Sequence, residues 1–151
     1  MSRSPDRLKH LEFLQSTISR QASNAFAVKG WSITVGAAIY AYTASHLTWW
    51  LAIVAILPSV AFAYLDAFYL RQERLFRKLY DDAIEIDTSV PEFSMNTRHY
   101  LMNASCTYRG IAAAKTWWMF HSILMLVGVV LFGIAIFQRF STTELADCIR
   151  V

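Results

Sequence analysis

Two long stretches of this chain contain no charged residue. Neither Gly30 to Leu65 nor Thr116 to Gln138 includes an Asp, Glu, Lys or Arg. A membrane core is crossed by about 20 helical residues. The second stretch therefore fits one span, and the first fits two spans joined by a tight turn. The pattern predicts an all-α membrane protein with three transmembrane helices, a hairpin plus a third span.

The predicted spans have the following bounds. The hairpin has span 1 at residues 26–45 and span 2 at residues 47–66, and span 3 covers residues 111–138. Tryptophans near the predicted span ends are typical of an interfacial aromatic belt. Pro58 falls at mid-depth in span 2, where it removes a backbone hydrogen bond and is expected to bend the helix.

The second span is predicted to continue out of the membrane without a break. No Gly or turn signal separates Asp66 from the charged residues that follow it, so one helix is expected to extend into the cytosol as far as residue 86. Residues 87–110 then form a cytosolic segment with one short helix from Phe93 to Tyr108, in which Leu101 and Met102 are available for packing. Residues 139–151 are expected to be a loosely ordered tail.

An amphipathic helix is predicted before the first span, over residues 6–24. Apolar residues recur there at steps of three or four, which places them on one helical face: Leu8, Leu11, Leu14, Ile18, Ala22 and Phe26. Such a helix lies on the membrane surface or against a neighbouring cytosolic helix. It is an anchor leading into span 1 in the simpler interpretation, and a gate or docking helix in the other.

Composition agrees with one membrane domain and excludes several function classes. The chain has 151 residues, 56% of them hydrophobic, and a net charge of +3, too small to indicate a nucleic-acid surface. Its N-terminus lacks a signal-peptide pattern. Cys106 and Cys148 have no metal-type spacing. With no catalytic motif either, we expect no enzyme, no metal and no cofactor.

The distribution of Lys and Arg predicts the orientation. Most basic residues precede span 1 or lie between spans 2 and 3, and only Arg139 and Arg150 follow span 3. Because Lys and Arg in short loops stay on the cytoplasmic side, we expect the N-terminus inside and the C-terminus outside.

Two faces of the cytosolic helix are candidate sites. Arg71, Arg74 and Lys78 share one face, with Arg77 beside it, and such a face could bind an anionic ligand or reflect only retention of positive charge inside. Phe76, Leu79 and Tyr80 form an apolar stripe with Ala83. That stripe requires a partner helix or another subunit.

Charges at one depth are candidate pore or gate residues. Lys29, Asp66 and Lys115 fall at about the level where the spans meet the cytosol, so we expect Asp66 to meet one of the lysines. They could form a charged ring at a pore mouth, or the lysines could simply reach the lipid headgroups. His121 lies inside span 3, where it is a functional group or an interhelical hydrogen-bonding group.

The layout of an N-terminal helix, a hairpin and the extended charged helix YLDAFYLRQERLFRKLYDD (Tyr64 to Asp82) resembles the SLATT-type and related small membrane effectors of bacterial conflict systems. The resemblance covers roughly Leu8 to Ile86, and the third span departs from the simplest two-span pattern. It implies a pore-forming homo-oligomer in the membrane lipid, with a tetramer as one arrangement. It also implies gating by a nucleotide-derived or oligonucleotide signal from a partner nucleotidyltransferase or sensor.

The sequence leaves two functions open. The first is a homo-oligomeric channel or membrane-disrupting effector of anti-phage defence, gated at its cytosolic helices. The alternative is a non-conducting membrane scaffold that recruits a soluble partner complex through the cytosolic helix.

Overall fold

The computed structural model describes residues 4–46, 48–85 and 88–149, with side chains as far as Gln138. Over these residues the fold is all-helical, which confirms the all-α part of the predicted class. The main helices are α1 (Pro5–Ser45), α2 (Trp49–Ala83), α3 (Tyr108–Ala112) and α4 (Lys115–Ile149), and two single 3₁₀ turns lie at Arg98–Tyr100 and Ala104–Cys106.

Helix α1 is continuous over 41 residues, so the predicted helix at 6–24 and the predicted span at 26–45 belong to one helix, and the division between them stays a prediction. No proline occurs near residue 25, and a single helical glycine such as Gly30 costs only about 1 kcal/mol. The predicted apolar face is also only partly used. Leu11 and Leu14 are buried, whereas Leu8 and Phe26 are 50% and 79% exposed.

Helix α2 confirms the predicted rod, because it runs unbroken from apolar into charged residues and contains Pro58. It ends at Ala83, and Ile86, the predicted end, lies outside the described residues. Two helices, Trp49–Ala83 and Lys115–Gln138, are long and apolar enough to cross a membrane. The stretch predicted as span 1 is not one of them, since its Ser, Thr, Tyr and Gly residues lower its mean hydropathy.

The chain packs into two compact units, and α1 and α2 contribute to both. The first unit comprises Met1–Val28 and Leu65–Trp117, and the second unit comprises Lys29–Tyr64 and Trp118–Val151. The first unit has an apolar core of Leu11 and Leu14 from α1 with Leu79 and Ala83 from α2. The predicted helix therefore does lie against a neighbouring helix.

The predicted helix from Phe93 to Tyr108 is wrong, because that segment forms two 3₁₀ turns and the start of α3. The side chains of Asn96, Asn103 and Thr107 accept hydrogen bonds from backbone N–H groups two or three residues ahead. Such local bonds compete with a continuous helix. Of the two residues expected to pack, Leu101 is 37% exposed and Met102 is 91% exposed.

Gly110 is required where α3 meets the preceding turn. A Cβ at this position would lie 2.1 Å from the carbonyl oxygen of Ala104. Helix α4 begins at Lys115 rather than at residue 111, and its backbone stays helical to Ile149, through the segment predicted as a loose tail. The described chain is thus more helical than predicted at its C-terminal end.

Candidate functional site

The interior of the second unit is built from small and polar side chains. One line of buried residues comes from each of three helices, at the three-, four- and seven-residue spacing that keeps side chains on one face. These residues are Ser32, Gly36, Tyr40 and Thr43 of α1, Ala52, Ala55 and Ser59 of α2, and His121, Gly128 and Ala135 of α4.

The exterior of the same unit carries the large apolar side chains. Leu57 and Trp118 are 62% and 63% exposed, and Ile123 and Leu126 are 62% and 61% exposed. Only 28% of the most apolar stretch of α2 and 17% of that of α4 is buried. A core helix of a soluble protein would show the reverse, whereas helices in lipid pack through small residues and leave large apolar ones outside.

A buried tyrosine connects the three helices of this unit. The Tyr40 hydroxyl of α1 lies 2.8 Å from Ser59 Oγ of α2 and donates to the Leu124 carbonyl of α4 at 3.1 Å. Gly128 makes room for the tyrosine, because a Cβ there would lie 3.0 Å from the Tyr40 hydroxyl. This contact was not predicted, and its one signal in the sequence is a tyrosine that lies in line with small residues rather than at a span end.

The predicted pore residues are divided between the units. Asp66 is fully buried in the first unit, which also contains the exposed Lys115. Lys29 is half-buried and His121 is 4% exposed, and both belong to the second unit. The pairing of Asp66 with a lysine stays a prediction.

Two of the predicted ligand-binding arginines hold the chain's own backbone. Arg71 Nε donates to the Cys106 carbonyl at 3.0 Å, and the guanidinium lies 4.7 Å from the centre of the Tyr108 ring. Arg74 Nη1 donates to the Ser105 carbonyl at 2.7 Å and to the Gly110 carbonyl at 3.3 Å. Both therefore fasten the segment after α2 to α2 itself.

The other two predicted ligand residues are placed differently. Arg77 forms an ion pair with Glu73 one turn before it, with 2.7 Å between Nη2 and Oε1. Lys78 is half-buried on the same helix. In the described chain, Arg71 and Arg74 of the predicted basic face donate to backbone carbonyls, whereas Arg77 and Lys78 do not.

The predicted partner-contact stripe is covered by the chain's own α1. Leu79 is 2% exposed within the core of the first unit, and Phe76 and Tyr80 pack against that core. The sequence predicted that a partner helix or another subunit covers this stripe. Helix α1 is that partner, and it contributes Leu11 and Leu14.

A brace that the sequence did not reveal joins the start of α1 to residues 90–94. Arg7 Nη2 donates to the Val90 carbonyl at 2.9 Å, and Nε2 of the fully buried His10 lies 2.9 Å from the Ser94 carbonyl. Phe93 between them has a φ of 61°, a left-handed conformation that costs free energy for a non-glycine residue. These contacts fix the backbone conformation of residues 90–94.

Comparison with protein-family models, curated proteins and solved structures found no match to this chain.

Proposed function

We propose that this chain is an integral protein of the bacterial inner membrane. In this proposal, copies of it assemble into a channel or a membrane-disrupting effector of anti-phage defence. The observation that carries the membrane assignment is the inverted polarity of the second unit, with Ser, Thr, Gly and Tyr buried and Ile, Leu, Val and Trp exposed. Water disfavours such an exterior strongly, at about 25 cal/mol for each Å² of apolar surface, and lipid does not.

The proposal includes a third span formed by the second half of α1. The Tyr40 bonds to Ser59 of α2 and to Leu124 of α4 support this span, because they make α1 a neighbour of both apolar helices. The N-terminus and the first unit are placed in the cytoplasm, as the distribution of Lys and Arg favours.

Homo-oligomerisation follows from the size of the subunit. Three helices packed through small side chains leave no room for a water path between them, so a pore requires several copies around an axis. Asp66, Lys29, Lys115 and His121 are the proposed pore or gate residues. The resemblance to small membrane effectors supports gating by a nucleotide-derived ligand at the first unit, with Arg77 and Lys78 as its remaining basic contacts.

Flux across liposomes tests the conducting function. Purified protein is reconstituted into vesicles loaded with a self-quenching dye or with K⁺, and release is measured with and without cyclic oligoadenylate. We expect release that rises steeply with the ratio of protein to lipid, since assembly precedes conduction, and crosslinking should show oligomers at the same ratio. Asp66→Asn should change the flux, and Asp81→Asn, an equal change of charge at an exposed site, should not.

Some outcomes would overturn the proposal. If no dye or K⁺ is released at any ratio of protein to lipid and crosslinking shows only a monomer, the protein is not a channel. The scaffold alternative is not favoured, because Leu79 at the centre of its recruitment stripe is 2% exposed.

A further inference from the structure

A cavity of about 450 Å³ lies in the first unit, between the end of α2 and the irregular segment that follows it. Its volume falls in the range of about 300 to 1,000 Å³ that is common for small-molecule sites. Leu79, Val90 and Pro91 provide apolar wall. The polar lining residues are Asp82, Ser89, Ser94, Asn96, His99 and Tyr100.

The carboxylate of Asp82 dominates the charge of this cavity. No Lys or Arg is among the described lining residues, so Asp82, which like Asp81 is exposed to solvent, is the lining residue with a formal charge, and it disfavours an anion. The Tyr100 hydroxyl donates to Asp82 Oδ2. Burial, and then the bond to Asp82 and its charge, raises the pKa of Tyr100 to about 12, so the phenol keeps its proton at neutral pH. Asp82 Oδ1 accepts no hydrogen bond from the described residues.

Three further groups have hydrogen-bonding capacity left for a ligand. The Asn96 side-chain oxygen accepts from the Arg98 backbone N–H, which leaves its NH₂ group without an acceptor in the described chain. Ser94 Oγ accepts from the Asn96 backbone N–H and keeps its own proton to donate. Ser89 Oγ makes no side-chain hydrogen bond to the described residues. An ammonium or guanidinium only donates hydrogen bonds, so its acceptors in this cavity would be Asp82 Oδ1 and the serine hydroxyl oxygens rather than the Asn96 NH₂ group.

The segment that carries the serine and asparagine groups is bonded to α1. The Val90 carbonyl accepts from Arg7 Nη2, and His10 Nε2 lies 2.9 Å from the Ser94 carbonyl; neither Arg7 nor His10 is among the described lining residues. A ligand would therefore meet side-chain hydroxyl and amide groups on a braced segment. Preorganisation of this kind reduces the entropy cost of binding.

We propose that this cavity binds a small organic cation, with a primary ammonium or guanidinium group on Asp82 Oδ1 and a short hydrocarbon segment against Leu79, Val90 and Pro91. Hydrogen bonds to a charged acceptor are about twice as strong as neutral ones. A divalent metal is not favoured, since the described residues contain no cluster of three metal-binding side chains. The binding stands apart from the proposed channel function, because it requires neither conduction nor assembly.

Calorimetric titration of the full-length protein in detergent micelles tests the site. Putrescine and agmatine are the cationic probes, butanediol is the neutral analogue of putrescine, and AMP is the anionic probe. We expect heat from the two amines alone. Asp82→Asn should weaken amine binding by about tenfold to hundredfold, as expected for a lost charged hydrogen bond.

The chain offers a matched control in the neighbouring residue. Asp81→Asn makes the same change of charge one position away, on an exposed residue that does not line this cavity, and should leave affinity unchanged. Tyr100→Phe should preserve binding, because it frees Asp82 Oδ2 while keeping the carboxylate. Circular dichroism verifies folding of each variant.

Three results would overturn the inference. Equal losses in Asp82→Asn and Asp81→Asn would show general attraction to negative charge. Equal binding of butanediol and putrescine would show that no charge is recognised. If neither amine gives a heat of binding with the folded wild-type protein, the cavity does not bind small organic cations.

Discussion

Gly128 lies on α4 where an added methyl group would collide with two neighbours. A Cβ there would be 3.0 Å from Ile56 Cγ1 and 3.0 Å from the Tyr40 hydroxyl. To make room, the tyrosine would have to shift by a few tenths of an ångström, which would distort its bonds to Ser59 and Leu124. Gly128→Ala should therefore lower the free energy of unfolding by about 1 to 3 kcal/mol. Unfolding in mixed micelles, followed by circular dichroism, measures the change.

Gly133→Ala is the control, five residues along the same helix. Nothing lies within 4 Å of its Cβ position, so alanine should be neutral or stabilising by about 0.5 to 1 kcal/mol. Equal effects of the two variants would contradict the close approach at Gly128.

For single residues, the sequence predicted which side chains share a helical face better than it predicted what those side chains contact. Arg71 and Arg74 were correctly placed together on one helical face, but the carbonyls that they bind belong to residues 105 to 110. Periodicity shows which residues share a face and says nothing about what a distant segment brings to it. The cavity around Asp82 escaped prediction for the same reason, because residues 89 to 100 supply most of its lining.

At the scale of elements, Arg74 connects α2 to both the second 3₁₀ turn and α3. Arg74→Ala removes donors from the Ser105 and Gly110 carbonyls and should destabilise this connection by about 1 to 3 kcal/mol. Faster hydrogen exchange of the amides in residues 104–113 is the expected result, measured by mass spectrometry.

Arg77→Ala provides the comparison, since it removes an ion pair within α2 whose arginine and glutamate side chains are 60% and 14% exposed, and no hydrogen bond to residues 105–110. Exchange in residues 104–113 should stay unchanged in this variant. If both variants accelerate exchange equally, Arg74 has no special role in holding the segment.

Helix continuity was predictable for α2 and not for α1. In α2 the absence of Gly or turn signals between Asp66 and Arg71 indicated one rod, and Pro58 did not break it. In α1 the change from amphipathic to apolar pattern suggested two elements, but composition changes along a helix without ending it. The helix predicted at 93–108 was wrong because the Asn and Thr side chains of this segment cap local turns.

For the whole molecule, the proposed orientation can be tested at two exposed positions. Met102 is 91% exposed in the first unit and is expected inside the cell, whereas Thr48, between α1 and α2, is expected outside. In a Cys148→Ala background, a membrane-impermeant maleimide should label Thr48→Cys in intact cells. It should label Met102→Cys only after permeabilisation.

The native Cys106 does not interfere, because its side chain is fully buried. The opposite labelling pattern would invert the proposed topology. Labelling of both positions in intact cells would exclude a membrane barrier between them.

The inverted polarity of the second unit also determines how its sequence can vary. In the proposed membrane setting, exposed positions such as Leu57 and Ile123 would face lipid, which has no fixed shape, and should accept exchange among Ile, Val, Leu and Phe. Inward positions such as Ala52 should accept only side chains of similar size. In the first unit the tolerance is reversed, because Leu79 must stay large and apolar. A substitution scale that assumes buried positions to be hydrophobic would therefore be right for the C-terminal end of α2 and wrong for its N-terminal end.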